Sequence, residues 1–173
     1  MSRLFKVTSS AALLIAALGS ITAVHAAGVA TTTLNFTGTI VGGCAFADTS
    51  KTIEFGDVEA LLFTGVGTVP DGTSREFTTV VTCQGAGSPY YTLGSTIDTS
   101  DTTLIRNTGT ATGVGIQLST GGTVLQPNDT QRVTTTLTGN TVTTAWIARL
   151  KQTTTTIAAG TISATATLTL NFS

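Results

Sequence analysis

Few side chains in this 173-residue sequence could do chemistry, and their positions limit what that chemistry could be. The single histidine, His25, and the single methionine, Met1, both lie near the amino terminus. Cys44 and Cys83 stand about forty positions apart and could pair, remain free thiols, or hold a metal. Two carboxylate sets invite a test: Asp57 with Glu59 for acid–base hydrolysis, and Asp98 with Asp101 for calcium. Spacing in sequence alone establishes neither geometry, and Asp98-Thr-Ser-Asp101 reads equally as a solvated loop. Tyr90 and Tyr91 could form a platform for sugar rings, or serve the rim or core of a fold. Trp146 reads as core.

The first 26 residues decide several of these cases. Met1–Lys6 carries Arg3 and Lys6, Ala11–Leu18 is apolar, and Val24-His-Ala26 offers small residues to a peptidase. That order is a secretory signal, too short in its apolar run to span a bilayer. Cleavage is expected after Ala26, which removes Met1 and His25 together. The mature chain then has no imidazole, so Ser–His and Cys–His catalysis and every His-containing metal site are excluded. The chain is not expected to be an enzyme, and no cofactor is expected. Export also places the two cysteines in an oxidising compartment, where Cys44 and Cys83 should form a disulfide worth roughly 4 kcal/mol. Without Arg3 and Lys6, six basic residues face nine acidic ones, with no basic stripe, so nucleic acid is not an expected partner.

Charged residues make up only 10% of the chain, and threonine and glycine are abundant. This composition suits strands with β-branched residues on the solvent side. Alternation is strongest at the two ends of the mature chain. Ala30, Thr32, Leu34, Phe36, Gly38 and Ile40 alternate with Thr31, Thr33, Asn35, Thr37 and Thr39. Ile162, Ala164, Ala166, Leu168, Leu170 and Phe172 alternate with Ser163, Thr165, Thr167, Thr169, Asn171 and Ser173. Period two means one face toward a core and one toward water.

Between them, strands are predicted over Thr52–Phe55, Arg75–Cys83, Pro89–Leu93, Thr112–Leu118, Thr123–Leu125, Gln131–Thr138 and Thr141–Lys151. Phe77, Thr79, Val81 and Cys83 should share one face, as should Val142, Thr144, Trp146, Ala148 and Leu150. Asp57–Asp71 reads as a loop; Gly121-Gly122 and Gly139-Asn140 read as turns. Many short strands separated by turns predict an antiparallel β-sandwich. Residues 30–40 could be an ordinary first strand of a complete sandwich, or a strand meant for another molecule.

At this point the sequence resembles the chaperone–usher fimbrial subunits, the pilins of bacterial adhesive fimbriae. Four stretches carry the resemblance, which covers nearly the whole mature chain. Phe36-Thr-Gly-Thr-Ile-Val-Gly-Gly-Cys44 is similar to the join between a pilin's extension and its first cysteine, and the gap to Cys83 suits the single pilin disulfide. Gly113-Val-Gly-Ile-Gln-Leu118 with Gly122-Thr-Val-Leu125 resembles the middle strands. Ile147-Ala-Arg149, Ala158-Ala-Gly160 and Ala164–Phe172 resemble the carboxy-terminal region, with Phe172 where tyrosine is more usual.

The resemblance implies an all-β fold: an incomplete immunoglobulin-like antiparallel β-sandwich, completed by a donor strand from another subunit. It implies a signal peptide over 1–26, a donor extension over 27–41 and a pilin domain over 42–173. The donor would be Ala30–Ile40, with Leu34, Phe36 and Ile40 filling pockets and Gly38 as the donor glycine. Ala164, Ala166, Leu168, Leu170, Phe172 and Ser173 would lie on the strand that receives a periplasmic chaperone and then the next subunit. Implied partners are that chaperone, an outer-membrane usher and neighbouring fimbrial subunits, with a host receptor reached through the assembled fibre. The implied location is a surface fimbrium reached through the periplasm. The competing expectation is a self-complete secreted sandwich that binds carbohydrate.

Overall fold

Period-two alternation becomes strand wherever a neighbour supplies a ladder and a core covers one face. A computed structural model describes residues 31–172 of the chain. The expected signal segment 1–26, Ala30 and Ser173 fall outside the described residues. The chain divides into two units after Gly38. Of the first unit, residues 31–38 are described, and they form no strand.

In the second unit the strands are β1 (Gly43–Phe46), β2 (Arg75–Gln84), β3 (Tyr90–Ser95), β4 (Ile105–Arg106) and β5 (Val114–Thr120). They continue with β6 (Thr123–Leu125), β7 (Val133–Thr134), β8 (Thr141–Gln152) and β9 (Ala166–Asn171), and one 3₁₀ turn spans Ala60–Leu62. One sheet has the order β1-β2-β8-β5-β4, with β6 paired to β5; the other has β7-β3-β9. Every ladder among the described residues is antiparallel. This is the predicted sandwich.

Its core forms where both sheets turn their apolar faces inward. Val81 and Cys83 of β2 alternate with exposed Val80 and Thr82, and Val142, Thr144, Trp146, Ala148 and Leu150 of β8 are all buried. Tyr91 of the small sheet meets Trp146 of the large one edge-on at 5.0 Å, a favoured aromatic geometry. Both polar tips find partners: Trp146 Nε1 donates to Thr79 Oγ1 at 2.8 Å, and Thr144 Oγ1 donates to the Tyr91 hydroxyl at 3.2 Å. The Cys44–Cys83 disulfide forms across the β1–β2 ladder, where the two residues are direct partners. At the β5–β6 turn, Gly121 and Gly122 have φ of 53° and 81°, a left-handed pair that suits a two-residue hairpin.

Several predicted elements differ from those observed. No strand forms over Thr52–Phe55. The predicted strand Gln131–Thr138 shrinks to β7, and the last strand is confined to Ala166–Asn171. β1 and β4 form without an alternation long enough to have announced them. Leu104, fully buried, fills the space left by the missing side chain of Gly115 beside β4.

Candidate functional site

Two edges of this sandwich face each other without a strand between them. Among the described residues, β9 pairs only with β3, and β1 only with β2. Between them runs a cavity of about 1440 Å³, walled by residues 45–58 on one side and 160–168 on the other. Its floor is apolar, built from Phe77, Leu93, Ile105, Ile116, Leu118 and Ala148. An apolar slot with an open β-strand edge along it has room for one more strand.

The two walls are held by different means. After Ala47, whose N–H donates to Val80 O at 2.8 Å, residues 48–58 make no backbone ladder to the described residues. Side chains replace it. Lys51 Nζ donates to Thr78 O at 2.9 Å, and Arg75 Nε donates to Glu54 O at 2.9 Å. Arg75 also donates to the carbonyls of Phe55, Gly72 and Ser74. The alternation of Thr52–Phe55 therefore survives as burial, with Ile53 and Phe55 half-buried and Thr52 and Glu54 exposed, but not as strand. Its physical cause is the lack of a partner on the groove side together with the capture of its carbonyls by Arg75. Neither Arg75 nor Lys51 was legible as part of the site, because the bonds that tie the wall to β2 span twenty or more positions.

The opposite wall leans on residues 107–111. Ser163 N donates to Asn107 Oδ1 at 2.8 Å, and Thr108 N donates to Ser163 O at 2.8 Å. All charged lining residues, Asp48, Lys51, Glu54 and Asp57, belong to the first wall. The floor and the second wall carry none. Such a slot accepts an apolar face more readily than a charged one.

Of the residues expected on a receiving strand, Ala166, Leu168 and Leu170 lie on β9, and Ala164 and Phe172 flank it outside the strand. Ala164 and Ala166 are exposed along the groove, and Leu168 lines it while resting half-buried on the core. Leu170 also packs on the core and is not a lining residue; Phe172 remains 39% exposed. The expected donor residues Thr32, Leu34, Phe36, Gly38 and Ile40 are exposed, Leu34 at 70% and Phe36 at 89%. An added Cβ at Gly38 would meet nothing within 4 Å.

The other candidates resolve into structural roles. Tyr91 is fully buried while Tyr90 faces outward beneath the Arg132 guanidinium, 4.6 Å from the ring centre. Adjacent residues of a strand face opposite ways, so the two tyrosines do not share one platform and take the core and rim roles, the other of the two readings. Asp98 accepts from the Ser100 N–H at 2.8 Å and caps its own loop. Asp101 accepts from Thr103 Oγ1 at 2.6 Å and Lys151 Nζ at 2.9 Å. The Thr103 hydroxyl first, and Lys151 with it, hold the Asp101 carboxyl down at about 2, against partial desolvation. Among the described residues, no group of three His, Cys, Asp or Glu side chains converges on a common point. Asp57 and Glu59 are exposed, with Asp57 on the groove rim.

Comparison with known proteins bears on this groove. A family model described as "Fimbrial protein" matches residues 31–173. A Burkholderia pseudomallei antigen and type I fimbria protein is 23% identical, covering 76% of this chain and 98% of its own, with a TM-score of 0.59. The P pilus rod subunit PapA is 17% identical over 75% of this chain and 99% of its own, with a TM-score of 0.64. A chaperone–usher pilus structure matches at 16% identity and a TM-score of 0.65, covering 83% and 96% of the two chains. No curated protein sequence matches the chain.

Proposed function

Because the chain belongs to the fimbrial protein family and is a pilus subunit, we propose that it polymerises head to tail, each copy lending residues 30–40 to the groove of its neighbour. The observation that carries this reading is the apolar slot bordered on both sides by unpartnered edges, in a chain that also bears an exposed alternating segment. In strand addition, main-chain hydrogen bonds supply much of the affinity and alternate side chains set the register. Leu34, Phe36 and Ile40 supply the apolar face. Gly38 fits wherever the floor rises closest. Residues 1–26 are the export signal and 27–41 the donor extension, leaving 42–173 as the receiving domain.

Before assembly the open groove needs cover, because a bare edge and an apolar floor together promote aggregation. A periplasmic chaperone that lends a strand along β9, reaching toward Phe172 and Ser173, serves that purpose. An outer-membrane usher is the site of exchange, and the product is a fibre on the cell surface that supports adhesion, with any host receptor met through the fibre. The work is mechanical and structural, with no catalysis.

The test compares urea unfolding of residues 42–173 with the same polypeptide carrying a short linker and residues 27–40 at its carboxy terminus. Burying three large apolar side chains contributes about 6 kcal/mol. At a urea dependence of about 2 kcal/mol per molar, the midpoint should rise by about 3 M. An unchanged midpoint would mean that the sandwich is complete without the added strand.

A further inference from the structure

Resting on the polymer reading above, we propose that the exposed apolar loop around Leu61, Leu62 and Val66 is the seat for the next copy of this chain, where it meets Val41 and the Gly42–Gly85 corner. The two ends of the sandwich are built differently. At the cysteine end, Gly42 lies so close to the Gly85 carbonyl that a Cβ there would overlap it, and Cys83 N donates to Asn140 O at 2.7 Å. At the far end, Gly67 N donates to Gln152 O at 2.9 Å, Thr112 bridges Ala158, and Gly160 packs on Thr110 and Ala111. β8 spans the distance between them, about 36 Å for its twelve residues.

The groove runs the same way, from Ala45 and Leu168 to Val58 and Gly160. A donor strand ending at Ile40 is joined by only Val41 and Gly42 to β1 of its own domain. The donor's cysteine end must therefore lie within about 10 Å of the strand's last residue. If the strand entered parallel to β9, that last residue would sit at the host's cysteine end. Each domain's cysteine end would then have to meet two others at once, crowding three domains at every joint. An antiparallel strand instead brings the donor's cysteine end to the host's far end, a heterologous contact that repeats without limit. It also matches the antiparallel sense of every ladder within the domain.

The far end is where the unexplained apolar surface lies. Leu61 is 89% exposed, and Leu62 and Val66 are exposed with it, three to eight residues beyond Val58 at the groove mouth. The approaching end offers Val41, also exposed. Charge does not oppose the contact: residues 84–90 of one end and 60–68 with 153–160 of the other contain no Asp, Glu, Lys or Arg, and the exposed Glu59 beside the seat has no acidic counterpart in 84–90. A joint of two residues fixes distance but not angle. The apolar seat fixes the angle between successive domains.

The experiment replaces Leu61 by p-benzoylphenylalanine in the full mature chain, mixes isotopically heavy and light copies, lets them assemble, and irradiates. Heavy–light cross-links from position 61 to residues 41–43 or 84–90 of the neighbouring copy are expected. Fibres that form, as seen by electron microscopy, yet give cross-links only within one copy or to other segments would overturn the seat and leave strand exchange standing. If the unlabelled mature chain forms no fibres at all, strand exchange falls and the seat with it. A second variant, Leu61→Asp with Val66→Asp, should lower the fibre-bound fraction about tenfold while leaving the monomer's urea midpoint unchanged. A shifted midpoint with undiminished assembly would show that the loop serves its own domain instead.

Discussion

The region around Trp146 and the region around Leu168 use the same alternating pattern and end in different states. Trp146 has a β-ladder on both sides of its strand and Tyr91 across the sandwich, so its side chain is fully buried with its N–H satisfied. Leu168 has a ladder on one side only, and its side chain lines an open slot. The facing wall is looser still, since residues 48–58 are tied to β2 by Lys51 and Arg75 rather than by a ladder. One half of the domain is finished by its own chain. The other half is built to the same standard up to the point where a strand is due, and stops there. If the proposed strand exchange holds, stability is divided between what one copy supplies and what it takes from another.

Substitutions can sharpen that division, beginning with the largest effect. Trp146→Ala should cost about 4 kcal/mol whether or not a donor strand is present, because its pocket is closed in both cases. Leu168→Ala should cost about 1 kcal/mol in the open domain and about 3 kcal/mol once residues 27–40 fill the groove. Urea midpoints of four polypeptides measure both differences; equal costs for Leu168→Ala in the two forms would mean the slot receives nothing. Arg75→Met comes next. Losing donors to four carbonyls should cost about 2 kcal/mol and speed amide exchange across residues 51–58, while Val81 and Val142 keep their protection. Uniform loss of protection would show that the wall is no looser than the core.

The smallest effect concerns the loop that Lys151 ties down on the finished side. Asp101 titrates at about 2 in the folded chain against an ordinary 3.8. A depressed carboxylate contributes stability above its ordinary value and loses it as pH falls from about 4 to about 2. The carboxylate is partly solvated, which reduces the contribution to about 1 kcal/mol. Comparing urea midpoints at pH 6 and pH 2.5, Asp101→Asn should lose that share of the acid sensitivity. An Asp101→Asn variant as acid-sensitive as the parent would place the titration elsewhere.

Much of the fold is legible in the sequence because facing is a local property. Each residue of 75–84 and 141–152 turns opposite to its neighbour whatever lies alongside, so burial follows the written pattern. Pairing is not local. Thr52–Phe55 carries a similar pattern without becoming a strand, and residues 31–38 alternate without becoming one, because a strand exists only with a partner. The same limit hid β4, which is two residues long and held by β5 and Leu104. It also hid Arg75, whose importance comes from carbonyls about twenty positions earlier in the chain. The tyrosine pair shows the local rule at work: as neighbours on one strand, Tyr90 and Tyr91 face opposite ways, one to the rim and one to the core.

What the sequence determined alone is therefore a set of faces, an expected export signal, an expected cysteine pair, and two alternating ends. The tertiary structure decided which edges stay open, that the slot between them is apolar on its floor and charged on only one wall, and that Gly67 and Gly42 lie toward opposite ends of the domain. The physical reason is that side-chain direction is fixed by neighbouring dihedrals, whereas a hydrogen-bonded edge is satisfied or left bare only by what the folded chain brings beside it.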